Sequence, residues 1–400
     1  MINLFVVLGV LHAVVWFCIL GPNFRRHQKQ LSPLCPYSQE HEKLPAVVAL
    51  IPARNEEAAL GFSLKSLFAQ QHVPLSVIVA NDQSTDSTPS ILRHLQTKYP
   101  EKLTFFEVDE LPEGWMGKCN ALHQAYQRAP ENAEWILFAD ADVLHGAQTV
   151  ARALQHALNA EADLITFIPR MDCVGFWEHA ALPVVHHTGM CFLQPGKIND
   201  PDSDKFAGIG AFTLVRRSRY DSIGGHEAIK GEVIDDMALA WKVKSAGCKQ
   251  SLCYDYNAVH LRMYDSLGSL YRGFRKNMNV GAGSSFVGSL VGSFAFSLFY
   301  LIPLFMVIPA LIVGASNFLV GIAMLILAGA YCWLTGVSLA KRMEPFFEFH
   351  PKLTALAYPL GALLLSWTML VSGWEGAVMG KSNWRGRNLK RPKQNLRLIP

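Results

Sequence analysis

Two carboxylates one residue apart, Asp140-Ala141-Asp142, follow the apolar run Trp135-Ile136-Leu137-Phe138-Ala139. Acids so spaced at the end of a buried strand can face one divalent cation, and their hard oxygens suit Mg2+ or Mn2+. A second pair, Asp235-Asp236, opens a stretch of helical spacing over residues 236–246 that stops at Gly247. A carboxylate on a helix N-terminus is stabilised as the anion; it can accept a proton from a hydroxyl, or simply cap the helix. Lys118 closes Gly114-Trp115-Met116-Gly117-Lys118, where a cation beside glycines at a helix start can meet phosphate oxygens or sit solvated in a turn. Asp82, within Asn81-Asp82-Gln83-Ser84-Thr85-Asp86-Ser87-Thr88, offers an acceptor to the imide N–H of a base such as uracil, although Ser84 or Thr85 beside it reads equally as a helix cap. Tyr271-Arg272-Gly273-Phe274-Arg275-Lys276-Asn277 groups three cations that can clamp a diphosphate or flank a bilayer.

These residues need elements to hold them. Short β-branched runs at 47–51, 76–80, 103–108, 135–139 and 164–168 read as strands, and stretches at 56–70, 85–98 and 118–128 carry apolar residues at helical spacing. Strand and helix in alternation give βαβ units, hence a parallel sheet with right-handed crossovers. Ligands of such sheets bind beyond the carboxyl ends of the strands. The polar clusters fall there: Ala53-Arg54-Asn55-Glu56-Glu57 after the first strand, Asp82 after the second, Asp140 and Asp142 after the fourth.

The chain has 400 residues, half of them apolar and only 17% charged. The apolar excess is confined to residues 3–20 and 284–378, while 45–260 reads as an ordinary soluble enzyme. This excludes a wholly soluble protein, a disordered chain and a disulfide-stapled scaffold, and the long central stretch without a membrane-length apolar run argues against a polytopic transporter. Residues 1–21 are expected to form a transmembrane anchor and 22–44 a linker. A catalytic domain over 45–260, an interfacial segment over 261–283, membrane-associated helices over 284–378 and a basic tail over 379–400 complete the expected organisation. Arg25, Arg26 and Lys29 after the first run place its end in the cytoplasm. Three spans after 284 would then leave the basic tail outside, so the first of them, broken by Pro303 and Pro309, is expected not to cross. Lys381, Arg385, Arg387, Lys390, Arg391, Lys393 and Arg397 stand in the tail without an acid, a headgroup-binding pattern; no nucleic-acid-binding motif accompanies them. The eight cysteines show no C-x-x-C and no metal spacing, as expected of reduced cytosolic thiols. His186-His187 could ligate a metal, but packing histidines are the commoner case.

The order P-A-R-N-E-E, D-x-S-T-D-S-T, G-W-M-G-K, D-A-D, G-x-G-A-F, D-D, R-x-x-R resembles the family 2 inverting glycosyltransferases of the GT-A fold. Within them it is similar to a membrane-anchored subgroup associated with hopanoid and carotenoid biosynthesis and related to ceramide glucosyltransferase. The resemblance implies an α/β, Rossmann-like nucleotide-sugar-binding domain with transmembrane helices at both ends. It implies that Ala53, Asn55, Glu56, Asp82, Lys118, Asp140 and Arg272 bind the nucleotide sugar, that Asp140 and Asp142 hold Mg2+ or Mn2+, and that Asp236 is the base with Arg275 on the leaving diphosphate. Two positions depart from the family pattern: Asn81 stands where the D-D-x-S form has an acid, and Lys276 replaces the tryptophan of Q/R-x-x-R-W on which processive synthases rely. The expectation is therefore a single sugar moved from a UDP- or GDP-sugar to a membrane lipid, by an enzyme of the cell membrane, multi-pass, with its catalytic domain cytoplasmic. Rival readings are a polyprenyl-phosphate sugar transferase or small polymer synthase with the same donor site, a non-catalytic scaffold, and a flippase-like transporter.

Overall fold

The computed structural model describes residues 1–38, 43–192, 194–281, 286–379, 381–384 and 387–390. The chain forms two compact units: Lys29–Met171 with Gln194–Arg262, and Met1–Gln28 with Asp172–Leu193 and Met263–Pro400.

In the first of these, the apolar runs become strands β1 (Val47–Ala53), β2 (Leu75–Asn81), β3 (Leu103–Glu107), β4 (Trp135–Phe138), β5 (Val143–His145), β6 (Leu164–Ile168), β7 (Arg170–Asp172), β8 (Thr213–Arg216), β9 (Gln250–Tyr254) and β10 (Val259–Leu261). β1, β4 and β6 are buried on both faces, which explains why they read as continuous apolar runs rather than alternating ones. One sheet runs β9-β6-β8-β4-β1-β2-β3, with the two-residue strand Ser32–Pro33 beyond β9. The pairs β1/β2, β1/β4, β2/β3 and β9/β6 are parallel. The sheet is not wholly parallel, however: β8 lies antiparallel between β4 and β6. This adds one antiparallel strand to the expected parallel sheet, since Thr-Leu-Val-Arg comes out of the glycine loop and not out of a crossover helix. β10 pairs antiparallel with β5 and parallel with Arg170 and Met171, extending the unit beside the large sheet.

Helices α1 (Leu60–Phe68), α2 (Thr88–Lys98), α3 (Gly117–Gln127) and α4 (Thr149–Asn159) follow strands and lay apolar stripes on the sheet: Leu60, Leu64 and Leu67, Leu92 and Leu95, and Val150, Ala153, Leu154 and Ala157 are all buried. The chain visits β1, β2 and β3 in one direction and then returns to place β4 on the other side of β1. The crevice at the ends of β1 and β4 is thus the switch point at which such sheets take ligands.

Two helices start later than their spacing suggests, at Leu60 instead of 56 and at Thr88 instead of 85. The loop residues between clasp each other. The Asn55 N–H donates to Ser84 Oγ (2.9 Å), Thr85 N–H to Asn55 Oδ1 (2.8 Å), Glu56 N–H to Thr88 Oγ1 (2.8 Å), Glu57 N–H to Asp86 Oδ2 (3.1 Å) and Ser87 N–H to Glu57 Oε2 (2.9 Å). Asn55 makes this fit in the left-handed region, at φ 56°, where asparagine is better tolerated than most side chains. The loop after β1 and the loop after β2 therefore act as one piece, and Ser84 and Thr85 spend their polar groups there rather than capping α2.

Asn81 anchors that piece. It is fully buried, accepts from the Ser84 hydroxyl (2.6 Å) and donates Nδ2 to Glu107 Oε2 (2.7 Å). An aspartate would present a second carboxylate to Glu107, so amide chemistry explains the departure from D-D-x-S. Asn81→Asp is expected to cost roughly 3 kcal/mol, since a fully buried side chain then becomes a carboxylate facing that of Glu107. Thermal unfolding should show the deficit, and lowering the pH should shrink it as the new pair shares a proton.

Among the described residues, four helices of the second unit are long and apolar enough to cross a membrane: Ile2–Gln30, Phe286–Ser316, Phe318–Phe346 and Pro351–Glu375. The segment carrying Pro303 and Pro309 is two helices, Phe286–Phe305 and Val307–Ser316, broken at Met306, yet together it has span length. Small residues let backbones approach: Gly321 meets Gly314, Gly336 meets Ala355, and Gly361 meets the backbone of Ala180 on the helix Phe176–Phe192. His187 is fully buried between the rings of Trp16 and Phe24, takes a hydrogen bond from Arg342 Nη1 (3.0 Å) and bonds Tyr300 Oη through Nδ1 (2.8 Å). It and His186, which lies against Phe346 and Phe347, are packing histidines; among the described residues no three His, Cys, Asp or Glu side chains cluster to hold a metal. Arg385, Arg391, Lys393 and Arg397 of the basic tail lie outside the described residues.

Candidate active site

At the ends of β1 and β4 a pocket is lined by Pro52, Lys118, Phe138, Asp140, Gly210, His226, Asp235 and Asp236, among others. Four sequence segments converge there, each for a local reason. β4 delivers Asp140, whose N–H donates to the Gly210 carbonyl (3.0 Å) and so continues the β4–β8 pairing past the strand end. Lys118 lies in the first turn of α3, whose start is tied to the loop before Asp235: the Met116 N–H donates to the Lys230 carbonyl (2.7 Å) and Cys119 Sγ approaches the carbonyls of Ile229 and Glu232. The helix α5 (Asp235–Ser245) carries the acid pair in its first turn. The glycine loop before β8 passes between them.

The Lys118 ammonium lies 2.7 Å from Asp140 Oδ1 and 3.4 Å from Asp235 Oδ2. Burial works against its charge, but the carboxylates of Asp140, Asp235 and Asp236 more than offset that, holding Lys118 well above the ordinary lysine range. Asp236 does not touch the lysine in this way. Its Oδ2 accepts the Gly210 N–H (2.7 Å) and its Oδ1 its neighbour's, Met237 N–H (2.8 Å). Burial, and then the charge of Asp235 beside it, raise Asp236 above the usual carboxylate range. Asp142 is pushed up to about 7, first by burial and then by the charges of Asp140 and Glu56. His226 packs beneath, fully buried, bonded to Tyr220 Oη (2.8 Å) and lowered to about 4 by burial, so it is neutral at neutral pH.

The remaining residues singled out in the sequence divide into two groups. Ala53 ends β1 opposite Asn81 of β2, and its carbonyl accepts the Asp82 N–H (2.8 Å). Asp82 is buried, and Arg54 Nη1 donates to its carbonyl (3.2 Å) and its Oδ2 (3.1 Å). Asn55 and Glu56 belong to the clasped loops beside it. Arg272 and Arg275 lie in the other compact unit, on the helix Leu267–Gly281; Arg272 is exposed, and Arg275 Nε pairs with Glu375 Oε2 (2.8 Å). Sequence reading missed Arg54 as the partner of Asp82, Asp235 as a partner of Lys118, the Gly210 N–H as a donor to Asp236, and His226. Only the G-x-G-A-F loop ahead of an acid pair carried any sign of this, because glycines mark close backbone approach.

A Rossmann-like sheet with acids, a lysine and a glycine loop at its switch point defines a nucleotide-binding α/β domain. Residues 48–224 match the model of Glycosyl transferase family 2. Among curated relatives, the 4,4'-diaponeurosporenoate glycosyltransferase of Staphylococcus aureus (strain MRSA252) is 31% identical over 266 residues, 65% of this chain and 66% of the relative; that of strain USA300 is 30% identical over the same shares. The matched region thus spans just under two thirds of those relatives' length. Among solved structures, a mannosyltransferase from Pyrobaculum calidifontis, in complex with GDP-Man and Mn2+, shares the fold at a TM-score of 0.51 and 17% identity, covering 94% of this chain and 97% of that one.

Proposed function

We propose that the protein is a membrane-anchored inverting glycosyltransferase that moves one sugar from a UDP- or GDP-sugar to a hydroxyl of a membrane lipid. The observation that carries this reading is the position of Asp236. In a family 2 domain, its carboxylate is fixed by two backbone N–H groups beside Lys118 and the D-x-D, with burial raising its proton affinity. Asp236 takes the proton of the acceptor hydroxyl. The oxygen attacks the anomeric carbon from the face opposite the diphosphate, the bond from that carbon to the phosphate oxygen breaks, and its electron pair leaves with the nucleotide diphosphate. Lys118 receives the developing charge, Asp82 takes the base N–H, and the loop of Ala53, Asn55 and Glu56 completes this unit's share of the donor site; for Arg275 on the leaving diphosphate and Arg272 on the donor, the support is the resemblance of their motif alone.

Asp140 and Asp142 fit a divalent cation. They are hard oxygen donors; burial, and after it the charges of Asp140 and Glu56, push Asp142 up to about 7, and a cation offsets both. Mg2+ or Mn2+ held by one or two carboxylates takes its other ligands from substrate phosphates and water, so a protein site of three acids is not required. When bound, the ion neutralises diphosphate charge. The GDP-Man and Mn2+ bound in the Pyrobaculum mannosyltransferase and the diaponeurosporenoate in the name of the Staphylococcus relatives support these choices. The spans, with Arg25, Arg26 and Lys29 after the first, support a cell-membrane enzyme with its catalytic unit on the cytoplasmic side. Lys276 in place of tryptophan favours single addition.

The test incubates membranes containing the protein with UDP- and GDP-sugars, total lipid extract and Mn2+, then weighs the lipids by mass spectrometry. A lipid heavier by one sugar residue, lost with EDTA and regained with excess Mn2+, is the expected result. A sugar on polyprenyl phosphate or a ladder of polymer lengths would instead establish the alternative reading.

A further inference from the structure

Lys118 is shared between two acids that belong to different motifs. Asp140 comes from the D-x-D after β4 and Asp235 from the first turn of α5, and the ammonium bridges them at 2.7 and 3.4 Å. The lysine side chain is 25% exposed and that of Asp235 only 10%, so that pair is shielded and its Coulomb term counts, while Asp140, 38% exposed, stays open to a second cation. Asp140 Oδ2 lies against Gly210, where a Cβ would stand 2.7 Å from it, while Oδ1 carries the ammonium. A second cation on Asp140 must therefore compete with Lys118.

We propose that Lys118 is a resident counter-cation of the D-x-D, parked there by Asp235, which yields Asp140 to a divalent metal only when a nucleotide diphosphate takes up its ammonium. The inference rests on the donor-site reading above and adds an order to it: metal and nucleotide bind with strong positive coupling, each weakly alone. Reciprocity then requires that the metal tighten nucleotide binding by the same factor as the nucleotide tightens metal. Asp235 acts as a positioning residue. It keeps the ammonium between the acid pair and the D-x-D, near where the diphosphate arrives, and an idle donor site is spared a tightly bound metal.

The experiment titrates Mn2+ into the detergent-solubilised full chain and follows the free ion by electron paramagnetic resonance, with and without UDP or GDP. Lys118→Met should tighten nucleotide-free Mn2+ binding at least about tenfold, roughly the effect of removing 1.4 kcal/mol of competition. The enhancement by nucleotide should shrink at least as much. Lys118→Arg, which keeps the charge, should bind Mn2+ alone as weakly as the parent. Lys230→Met, which removes an exposed lysine from the same unit, should change it less than about twofold, so that loss of one positive charge is not the explanation. If Mn2+ binds with nucleotide in an Asp140-dependent manner but Lys118→Met leaves the nucleotide-free affinity unchanged, or if Lys118→Arg tightens it as Met does, the counter-cation role is wrong and the donor site stands. If Asp140→Asn leaves Mn2+ binding with nucleotide intact, the donor-site reading itself fails.

Discussion

Asp236→Asn is expected to lower sugar transfer by about a thousandfold, within the range that loss of a general base produces, while nucleotide still binds within about twofold of the parent. The substitution is nearly isosteric. An asparagine oxygen can still accept the Gly210 N–H, and only the bond from Met237 N–H is put at risk, so the loop and α5 should keep their places. What disappears is the group proposed to receive the proton. In the parent, burial and the neighbouring charge of Asp235 raise Asp236 above the usual carboxylate range, so its basic form is lost as pH falls through that raised value. The acid limb of kcat/KM should accordingly lie above the ordinary carboxylate range and vanish in the variant. Full activity in Asp236→Asn would carry its own lesson: the acceptor group arrives already ionised, a carboxylate or a phosphate, and needs no base. That outcome would shift the acceptor from a lipid alcohol to a lipid acid or polyprenyl phosphate without moving the donor site.

Much of the frame that holds Asp236 was legible in the chain, and the parts that were not share a cause. Strands such as Leu164–Ile168 appear at their expected bounds because fully buried strands need unbroken apolar runs. The Thr213–Arg216 strand is hard to read because it leaves the glycine loop directly and runs antiparallel, so no helix leads into it as in a βαβ unit. Helix starts at 56 and 85 were read too early for a related reason. Asn55, Ser84, Thr85 and Asp86 are good capping residues in isolation, and only their pairing across two loops, distant in sequence, diverts them. The candidate site shows the same division. Its acids and lysine could be named from residue type and position after a strand. Which acid holds the lysine, that Arg54 engages Asp82, and that Glu375 engages Arg275 depend on distances no spacing rule encodes.

Gly210→Ala is expected to cost about a hundredfold in kcat, the scale on which a 1 Å displacement of reacting groups is felt, and to weaken donor binding as well. Gly210 bonds to both acids of the proposed chemistry, its carbonyl accepting from Asp140 N–H and its own N–H donating to Asp236. A Cβ there would come within 2.7 Å of Asp140 Oδ2 and 3.1 Å of Lys118 Nζ. The methyl cannot be absorbed without moving the D-x-D carboxylate or the loop, and a moved loop releases the carboxylate of Asp236. Gly247 supplies the contrast. It sits at φ 73° after α5, and an added Cβ would meet nothing within 4 Å. Gly247→Ala should therefore cost about 1 kcal/mol of stability through backbone strain alone and leave transfer intact. Steady-state kinetics and thermal unfolding on the two variants separate positioning from folding: an active Gly210→Ala would show that Asp140 and Asp236 are not aligned through this loop, and equal losses of activity in both would show that the glycines serve the fold rather than the site.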